Sequence, residues 1–323
     1  MSKLRVKMVT KNYDHLSPLA CGDVVAEGID LELDRRTPKE QFYDDPSYHA
    51  GEISFGQYLI RTSQGERAYI GMPVFVTGVL RHRCFFVLRG SDIREFKDLE
   101  GKRVGTNAWP DTGNTWSRAT LRENGVDIGR IEWRVGPLDD PSYDSFGHRP
   151  KLKWPSNVRP VAAGQTIRDI LLAGELDALM CSHPPKGFYE ADSRIVRLYP
   201  NYREMEQAHG RRMGYVPGSH IIAVRREVTE RAPWVVGSLY RALDQSKREW
   251  QANRRRLTDT SPWLLSDLEE TAELFGDDWR PYGVGPNRRM IERLCEEELA
   301  QELVDRPIDP DSVFAEFERL LEG

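Results

Sequence analysis

The chain has 323 residues, 46 Lys and Arg against 51 Asp and Glu for a net charge of −5, and is 39% hydrophobic and 30% charged. At ~150 residues per domain the length suggests two domains with real cores, and this composition excludes a disordered chain. The mild acidity speaks against a nucleic-acid binder and leaves room for small anions held in a local basic pocket.

Leu4, Val6 and Met8 alternate with Arg5 and Lys7, which predicts a first strand. A loop over 12–18 and a small-residue segment over 20–26 follow. Ile29, Leu31 and Leu33 alternate with Asp30, Glu32 and Asp34, a second strand. Glu52-Ile-Ser-Phe55 is a third short apolar piece leading into a helical stretch to about Gly65. Further strands are expected over 69–76 and 84–88. Strands separated by helix-length segments suggest a parallel α/β architecture.

A second unit is expected from about Asp98. The run Asp98-Leu-Glu-Gly-Lys-Arg-Val-Gly105 reads as a helix end, a turn and a strand. A helix follows over 112–124, with Thr112 or Asn114 as N-cap, then a strand over 131–135. Residues 136–160 are rich in Pro, Asp, Ser and Lys without periodicity, and read as a long surface excursion. A helix over 166–173 and strands over 177–181 and 195–198 come next. A strand over 220–224 precedes a mostly helical remainder. There, Asn287 caps a helix to about Val304, and Val313, Phe314, Phe317, Leu320 and Leu321 form one apolar packing stripe.

The cysteines Cys21, Cys84, Cys181 and Cys295 are far apart, with no CxxC. That excludes a disulfide framework and a zinc knuckle and suits a reducing cytoplasm. The opening run MSKLRVKMVTKNYDH has no apolar core or cleavage site, so no signal peptide is expected. No apolar run of ~18 residues exists to span a membrane. A cytoplasmic location is expected.

Several motifs together carry a family likeness. They are the Asp98–Gly105 run, Tyr13-Asp14, the run ISFGQYL holding Ser54 to Tyr58, Pro73-Val-Phe75, Arg81-His82, and Thr112, Trp116 and Arg118. Gly174-Glu-Leu-Asp-Ala178, His220, Pro233-Trp234, Tyr282-Gly283 and Asn287-Arg288 follow in order. The chain resembles the 4,5-dihydroxyphthalate decarboxylase family along nearly its whole length. The resemblance implies a two-lobed α/β fold of the type II periplasmic-binding-protein kind, with a cleft between the lobes and a helical C-terminal extension. Lobe 1 would comprise 1–100 and 220–323, and lobe 2 would comprise 101–219. It also implies a cytoplasmic enzyme acting on a small aromatic carboxylate.

Decarboxylation of a ring needs donors for a non-leaving carboxylate, a general acid at the leaving one and an orienting partner for the phenol. No organic cofactor is required if the ring accepts the electrons. Arg81 can hold a carboxylate with two parallel hydrogen bonds, and His82 titrates near neutrality as a proton donor. The competing reading of Arg81-His82-Arg83 is a solvated turn. Asp14 would orient a basic neighbour or accept from a substrate hydroxyl, or else make a local turn. His15 departs from the family pattern beside it. Tyr13 matches the pattern. Ser54 would donate to a carboxylate or cap a helix. In the run TNAWPDTGNTW, Thr106, Asn107, Thr112 and Asn114 suggest a carboxylate cradle, while Trp109 or Trp116 would stack on a ring or pack in the core. Residues 107–111 depart from the family pattern.

His183 is expected on the lobe 2 cleft wall and also departs. His220 opens the return strand and matches. His49, His148 and His209 are assigned no role. His15, His82, His183 and His220 lack any metal-ligand spacing, and no metal is expected. The Gly/Pro turn at 282–288 reads as structural.

The leading expectation is a cofactor-free decarboxylase of a hydroxylated phthalate-like acid. His82, His220, Asp14 and His15 are its catalytic candidates. Tyr13, Ser54, Arg81, Thr106, Asn107, Trp109, Thr112, Asn114, Trp116, Arg118 and His183 are its binding candidates. The alternatives are a solute-binding protein for a small carboxylate, serving a transporter or sensor, and another lyase or hydrolase of the same family. Neither nucleic acid nor membrane is expected as a partner. A homo-oligomer through the helical C-terminal third is compatible with the sequence.

Overall fold

A computed structural model of the chain describes residues 3–143, 145 and 149–322; His148 lies outside the described residues. In chain order the strands are β1 (Leu4–Val9), β2 (Ile29–Asp34), β3 (Ala50–Ser54), β4 (Tyr69–Gly78), β5 (Phe85–Leu88), β6 (Arg103–Thr106), β7 (Glu132–Val135), β8 (Val158–Pro160), β9 (Ala178–Met180), β10 (Ile195–Arg197) and β11 (Gly218–Arg225). The helices are α1 (Ser17–Cys21), α2 (Gln41–Asp44), α3 (Phe55–Ser63), α4 (Thr112–Glu123), α5 (Ile167–Leu172), α6 (Tyr202–Met213), α7 (Arg226–Arg231), α8 (Trp234–Arg256), α9 (Leu264–Phe275), α10 (Arg288–Ala300) and α11 (Ala315–Glu322). No helix among the described residues is long and apolar enough to cross a membrane.

The chain forms two compact units. Unit 1 contains 1–79, 213–295 and 306–323, and unit 2 contains 80–212 and 296–305. The first crossing thus falls after Val79 rather than near 100, and a short segment following Cys295 belongs to unit 2. Sequence gave no sign of that segment, because its allegiance is set by distant side chains described below.

Unit 1 is built on a five-stranded sheet in the order β2-β1-β3-β11-β4. β1 runs parallel to β2 and β3, whereas β11 is antiparallel to both β3 and β4. The sheet is therefore mixed, not parallel as expected, because the chain re-enters unit 1 from the other direction. Val6, Met8, Ile53, Ile221 and Val224 are buried to within 1%. Phe55, Phe75 and Phe314 pack with centroids 5.5 to 6.2 Å apart. Phe314, just before α11, supplies that contact; of the expected stripe Val313, Phe314 and Phe317 are buried, whereas Leu321 is exposed.

Unit 2 carries a six-stranded mixed sheet in the order β10-β5-β9-β6-β7-β8. Its core includes Phe86, Ile167, Leu171, Leu179 and Ile195. Thr166 caps α5 by accepting from Asp169 N–H at 3.1 Å. Asp111, rather than Thr112 or Asn114, is the N-cap of α4. Residues 136–160 are more than a surface excursion. They contain β8, and Arg149 folds back onto Asp111 at 3.1 Å. α6 was not expected, since its polar sequence shows little apolar periodicity.

Gly51 lies in β3 against Phe42, and a Cβ there would come within 2.5 Å of the ring's Cγ. Phe42 Cβ, which the backbone fixes, would lie 2.9 Å away, so a rotamer change cannot relieve the whole contact. Gly51→Ala is expected to cost about 1–3 kcal/mol, read as a lowered thermal midpoint. An unchanged midpoint would mean that the sheet and α2 separate easily.

Candidate functional site

The functional centre of unit 1 is Glu52. It occupies β3, the middle strand of the five, and its side chain is fully enclosed. An ionised carboxylate in such a place must be hydrogen-bonded, and this one is saturated. Oε2 accepts from Thr10 Oγ1 at 3.0 Å and Lys11 N–H at 2.9 Å. Oε1 accepts from the Tyr13 hydroxyl at 2.8 Å and from His220 Nδ1 at 2.5 Å. Burial alone would push the carboxyl up. The hydrogen bond and charge of His220, with Lys39 and the Lys11 amide, outweigh it and hold Glu52 well below the usual carboxylate range.

The sheet explains how these groups meet. Thr10, Lys11 and Tyr13 follow the carboxyl end of β1, and Glu52 and Ser54 end β3, where ligands of open α/β sheets sit. His220 pairs directly with Ser54 in the antiparallel register. Period two then puts Glu52, Ser54 and His220 on one face of the sheet. Ser54 holds the N-cap position of α3 without a side-chain capping bond.

His220 is 19% exposed at its side chain, and its Nε2 has no hydrogen-bond partner among the described residues. Burial, with help from Lys39, lowers its proton affinity, while Glu52 opposes that shift. The resting ring is a neutral imidazole that donates Nδ1–H to Glu52 and presents Nε2 as a base. When protonated there, the ring is stabilised by the anion behind it. This is the arrangement of an oriented acid–base histidine.

The other candidates of unit 1 take different places. Asp14 is 62% exposed, pairs with Arg254 at 3.2 Å and has Oδ1 3.8 Å from His15 Nδ1. His15 is buried, with its ring stacked on Tyr13 at 5.4 Å and edge-on to Trp250 at 5.9 Å. Burial keeps it neutral, and it does not offer a proton to solvent. Its backbone carbonyl accepts from Ser246 Oγ at 2.9 Å, which anchors the loop carrying Tyr13 to α8.

In unit 2, Arg81 is 4% exposed and its guanidinium lies over the first turn of α4. A Cβ on Gly113 would stand 3.0 Å from both Arg81 Nη atoms and from Ser182 Oγ, so glycine lets the guanidinium approach closely. A cation beside a helix start suits an anionic carboxylate. His82 points elsewhere. Its ring packs on Phe96 at 5.6 Å and His209 at 5.1 Å, and its Nδ1 is buried without a partner. His183 is exposed after β9.

The loop 107–111 is internally braced rather than open. Thr106 Oγ1 and Asn114 Nδ2 both donate to Ala108 C=O, at 3.3 and 2.7 Å. Asn107 Oδ1 also faces Asn114, at 3.4 Å. Arg118 donates to Trp109 C=O at 2.9 Å and to Gln301 at 2.6 Å. Its guanidinium lies 3.9 Å over the Trp109 ring, which in turn meets Trp133 at 5.6 Å. Trp116 is 3% exposed. These side chains form unit 2's interior, so Trp109 and Trp116 take the core-packing reading and Arg118 is enclosed. Gln301 and Glu297, which pairs with Arg122, are what tie 296–305 to this unit. Among the described residues, no group of three His, Cys, Asp or Glu side chains could hold a metal ion. The cysteines are free thiols.

Sequence reading passed over Glu52 by counting it inside an apolar piece. A carboxylate flanked by Gly51 and Ile53 on a strand buried along both faces was the available signal.

Solved structures share this fold. The periplasmic aliphatic sulphonate binding protein SsuA from Escherichia coli matches with a TM-score of 0.52 at 12% identity, covering 100% of both chains. The Candida albicans CA3427 gene product, described as having the generic periplasmic binding protein fold, matches at 0.51 and 10% identity, covering 100% of this chain and 95% of that one. The protein thus has a periplasmic-binding-protein-like fold. The NMT1/THI5-like family model matches residues 25–138. A 4,5-dihydroxyphthalate decarboxylase from Comamonas testosteroni is 30% identical over 97% of both chains. Another, from Pseudomonas putida, is 30% identical over 62% of this chain and 78% of its own. The chain belongs to the 4,5-dihydroxyphthalate decarboxylase family and is an enzyme of that carboxy-lyase class.

His82 offers a direct test of its interior placement. Burial first, then the charges of His209 and Arg212, hold its pKa down at about 4. The unfolded ring titrates near ~6.5, so between these values the unfolded chain binds a proton the folded chain refuses. The stability from this ring is complete above ~6.5 and is lost as pH falls toward 4. His82→Phe is expected to flatten that part of the curve of thermal midpoint against pH. Equal slopes for both proteins would put His82 in solvent.

Proposed function

We propose that the protein removes CO2 from a hydroxylated, phthalate-like aromatic carboxylate without an organic cofactor, with His220 as the proton donor. The observation that carries the reading is the His220–Glu52 pair, with Nδ1 committed to a buried anion and Nε2 unengaged. The names of the two relatives support the substrate class.

The chemistry follows from the pair. A ring hydroxyl raises electron density at the carbon bearing the leaving carboxylate. Protonated Nε2 gives its proton to that carbon, the C–C bond breaks, and its electrons restore the aromatic ring as CO2 departs. His220 then recovers a proton from water. Glu52 stabilises the imidazolium before transfer and holds the tautomer after it. Tyr13, kept protonated by burial and by the Glu52 charge, donates to the carboxylate and fixes its orientation. Ser54, beside His220, supplies a hydroxyl toward the substrate. A cytoplasmic location accompanies this reading, supported by the four free thiols.

The test follows CO2 release from 4,5-dihydroxyphthalate and a panel of hydroxylated aromatic acids, with and without a chelator. His220→Gln is expected to cut turnover at least about 100-fold with the fold retained. Glu52→Gln removes the group that raises His220's proton affinity, so the basic limb of the kcat/KM profile should move to lower pH. Unchanged turnover in His220→Gln would remove His220 from the mechanism. No CO2 from wild type, with thermal stabilisation by one acid, would favour solute binding.

A further inference from the structure

Ser246 of α8 is fully buried, and its hydroxyl is used twice. Oγ donates to the His15 carbonyl at 2.9 Å and accepts from the Leu19 N–H at 3.1 Å. Those two backbone groups lie four residues apart and would bond to each other in an unbroken helix. The hydroxyl stands in place of that bond, so a side chain of α8 sets how the chain passes from the loop after β1 into α1. The Leu16 N–H donates to the Tyr13 carbonyl at 3.2 Å, which ties Tyr13 into the same turn.

One helical turn further along α8, Trp250 meets the His15 ring edge-on at 5.9 Å, and that ring stacks on Tyr13 at 5.4 Å. α8 thus holds His15 by its backbone and by its ring, and both contacts bear on Tyr13. The Tyr13 hydroxyl donates to Glu52 Oε1 at 2.8 Å, the oxygen that also meets His220 Nδ1 at 2.5 Å. A carboxylate oxygen shared between two donors attracts each less than it would attract one alone. Tyr13 therefore moderates the pull of Glu52 on the His220 imidazolium.

We infer that Ser246 is a positioning residue for the acid–base pair: through His15 it fixes the Tyr13 hydroxyl on Glu52 and so tunes the proton affinity of His220. This rests on the reading of His220 as the proton donor. The charged groups acting on His220 are Glu52, Lys39 and Lys11, and those acting on Tyr13 are Glu52, Arg280 and Glu40. None of them hydrogen-bonds to Ser246. Arg280 at 3.4 Å and Asp14 at 3.8 Å reach the His15 ring nitrogen, not the backbone groups that Ser246 holds.

The experiment is an NMR titration of the His220 imidazole in the full chain, run beside the pH profile of kcat/KM for CO2 release. Tyr13→Phe leaves Oε1 to His220, so the His220 pKa should rise by about 0.5 or more. Ser246→Ala should raise it in the same sense, and the basic limb of the profile should move to higher pH with it. In a Tyr13→Phe background Ser246→Ala should add nothing, because the residue through which it acts has lost its hydroxyl. Ser238→Ala controls for lost structure. Ser238 is also buried in α8 and donates to a backbone carbonyl, that of Glu27 at 2.6 Å. Its variant should lower the thermal midpoint and leave the His220 pKa in place. Trp250→Leu, which removes the contact on the His15 ring, repeats the test if Ser246→Ala fails to fold. An unmoved His220 pKa in the folded variants overturns the inference. So does a shift that is undiminished without the Tyr13 hydroxyl, or one that Ser238→Ala matches. A pKa that moves as stated in a chain that releases no CO2 supports the positioning and overturns only the role of His220 in the reaction.

Discussion

The structure of unit 1 turns on one enclosed carboxylate. Glu52 sits in the central strand with no exposure, and an anion there is tolerable only because four donors reach it. The four donors depend on three separate constraints. Thr10 and Lys11 require β1 beside β3, Tyr13 requires the loop anchored by Ser246, and His220 requires β11 antiparallel in its observed register. A one-residue slip of β11 would turn His220 to the opposite face and leave the anion short of a partner. Satisfying the carboxylate and orienting the imidazole are therefore the same structural event.

Unit 2 handles its polar interior differently. Asn114, Thr106 and Arg118 spend their donors on the carbonyls of Ala108 and Trp109. This holds the loop between β6 and α4 rigid, and with it the helix start under Arg81. Arg118 also reaches Gln301, which brings a short, distant segment into the unit. Rigid support for a cation at a helix N-terminus is what carboxylate recognition by a fixed fork requires. The 107–111 loop is therefore held mainly by bracing contacts within the unit.

Three candidate histidines, His82, His15 and His220, illustrate what separates chemistry from packing. Arg81 and His82 are adjacent, yet one covers the α4 start and the other enters an aromatic interior. His15 and His220 both sit near Tyr13, yet His15 is 2% exposed and His220 is 19% exposed at the side chain. The latter has a buried anion behind it and an unengaged nitrogen in front. Neighbourhood in sequence does not separate these cases; side-chain direction does.

The sequence by itself determined the α/β character, most element positions, the family and Tyr13, Ser54, Arg81 and His220 as residues of interest. Local alternation and family motifs are properties of neighbouring positions, so they survive in a one-dimensional reading. Only the tertiary structure decided that Glu52 is the centre, that the sheets are mixed, and that Trp109, Trp116 and Arg118 are interior bracing. Those facts depend on which side chains of remote segments meet across a sheet or under a helix. Hydrogen-bond satisfaction and desolvation are set by those meetings, 168 residues apart for Glu52 and His220 and 183 for Arg118 and Gln301.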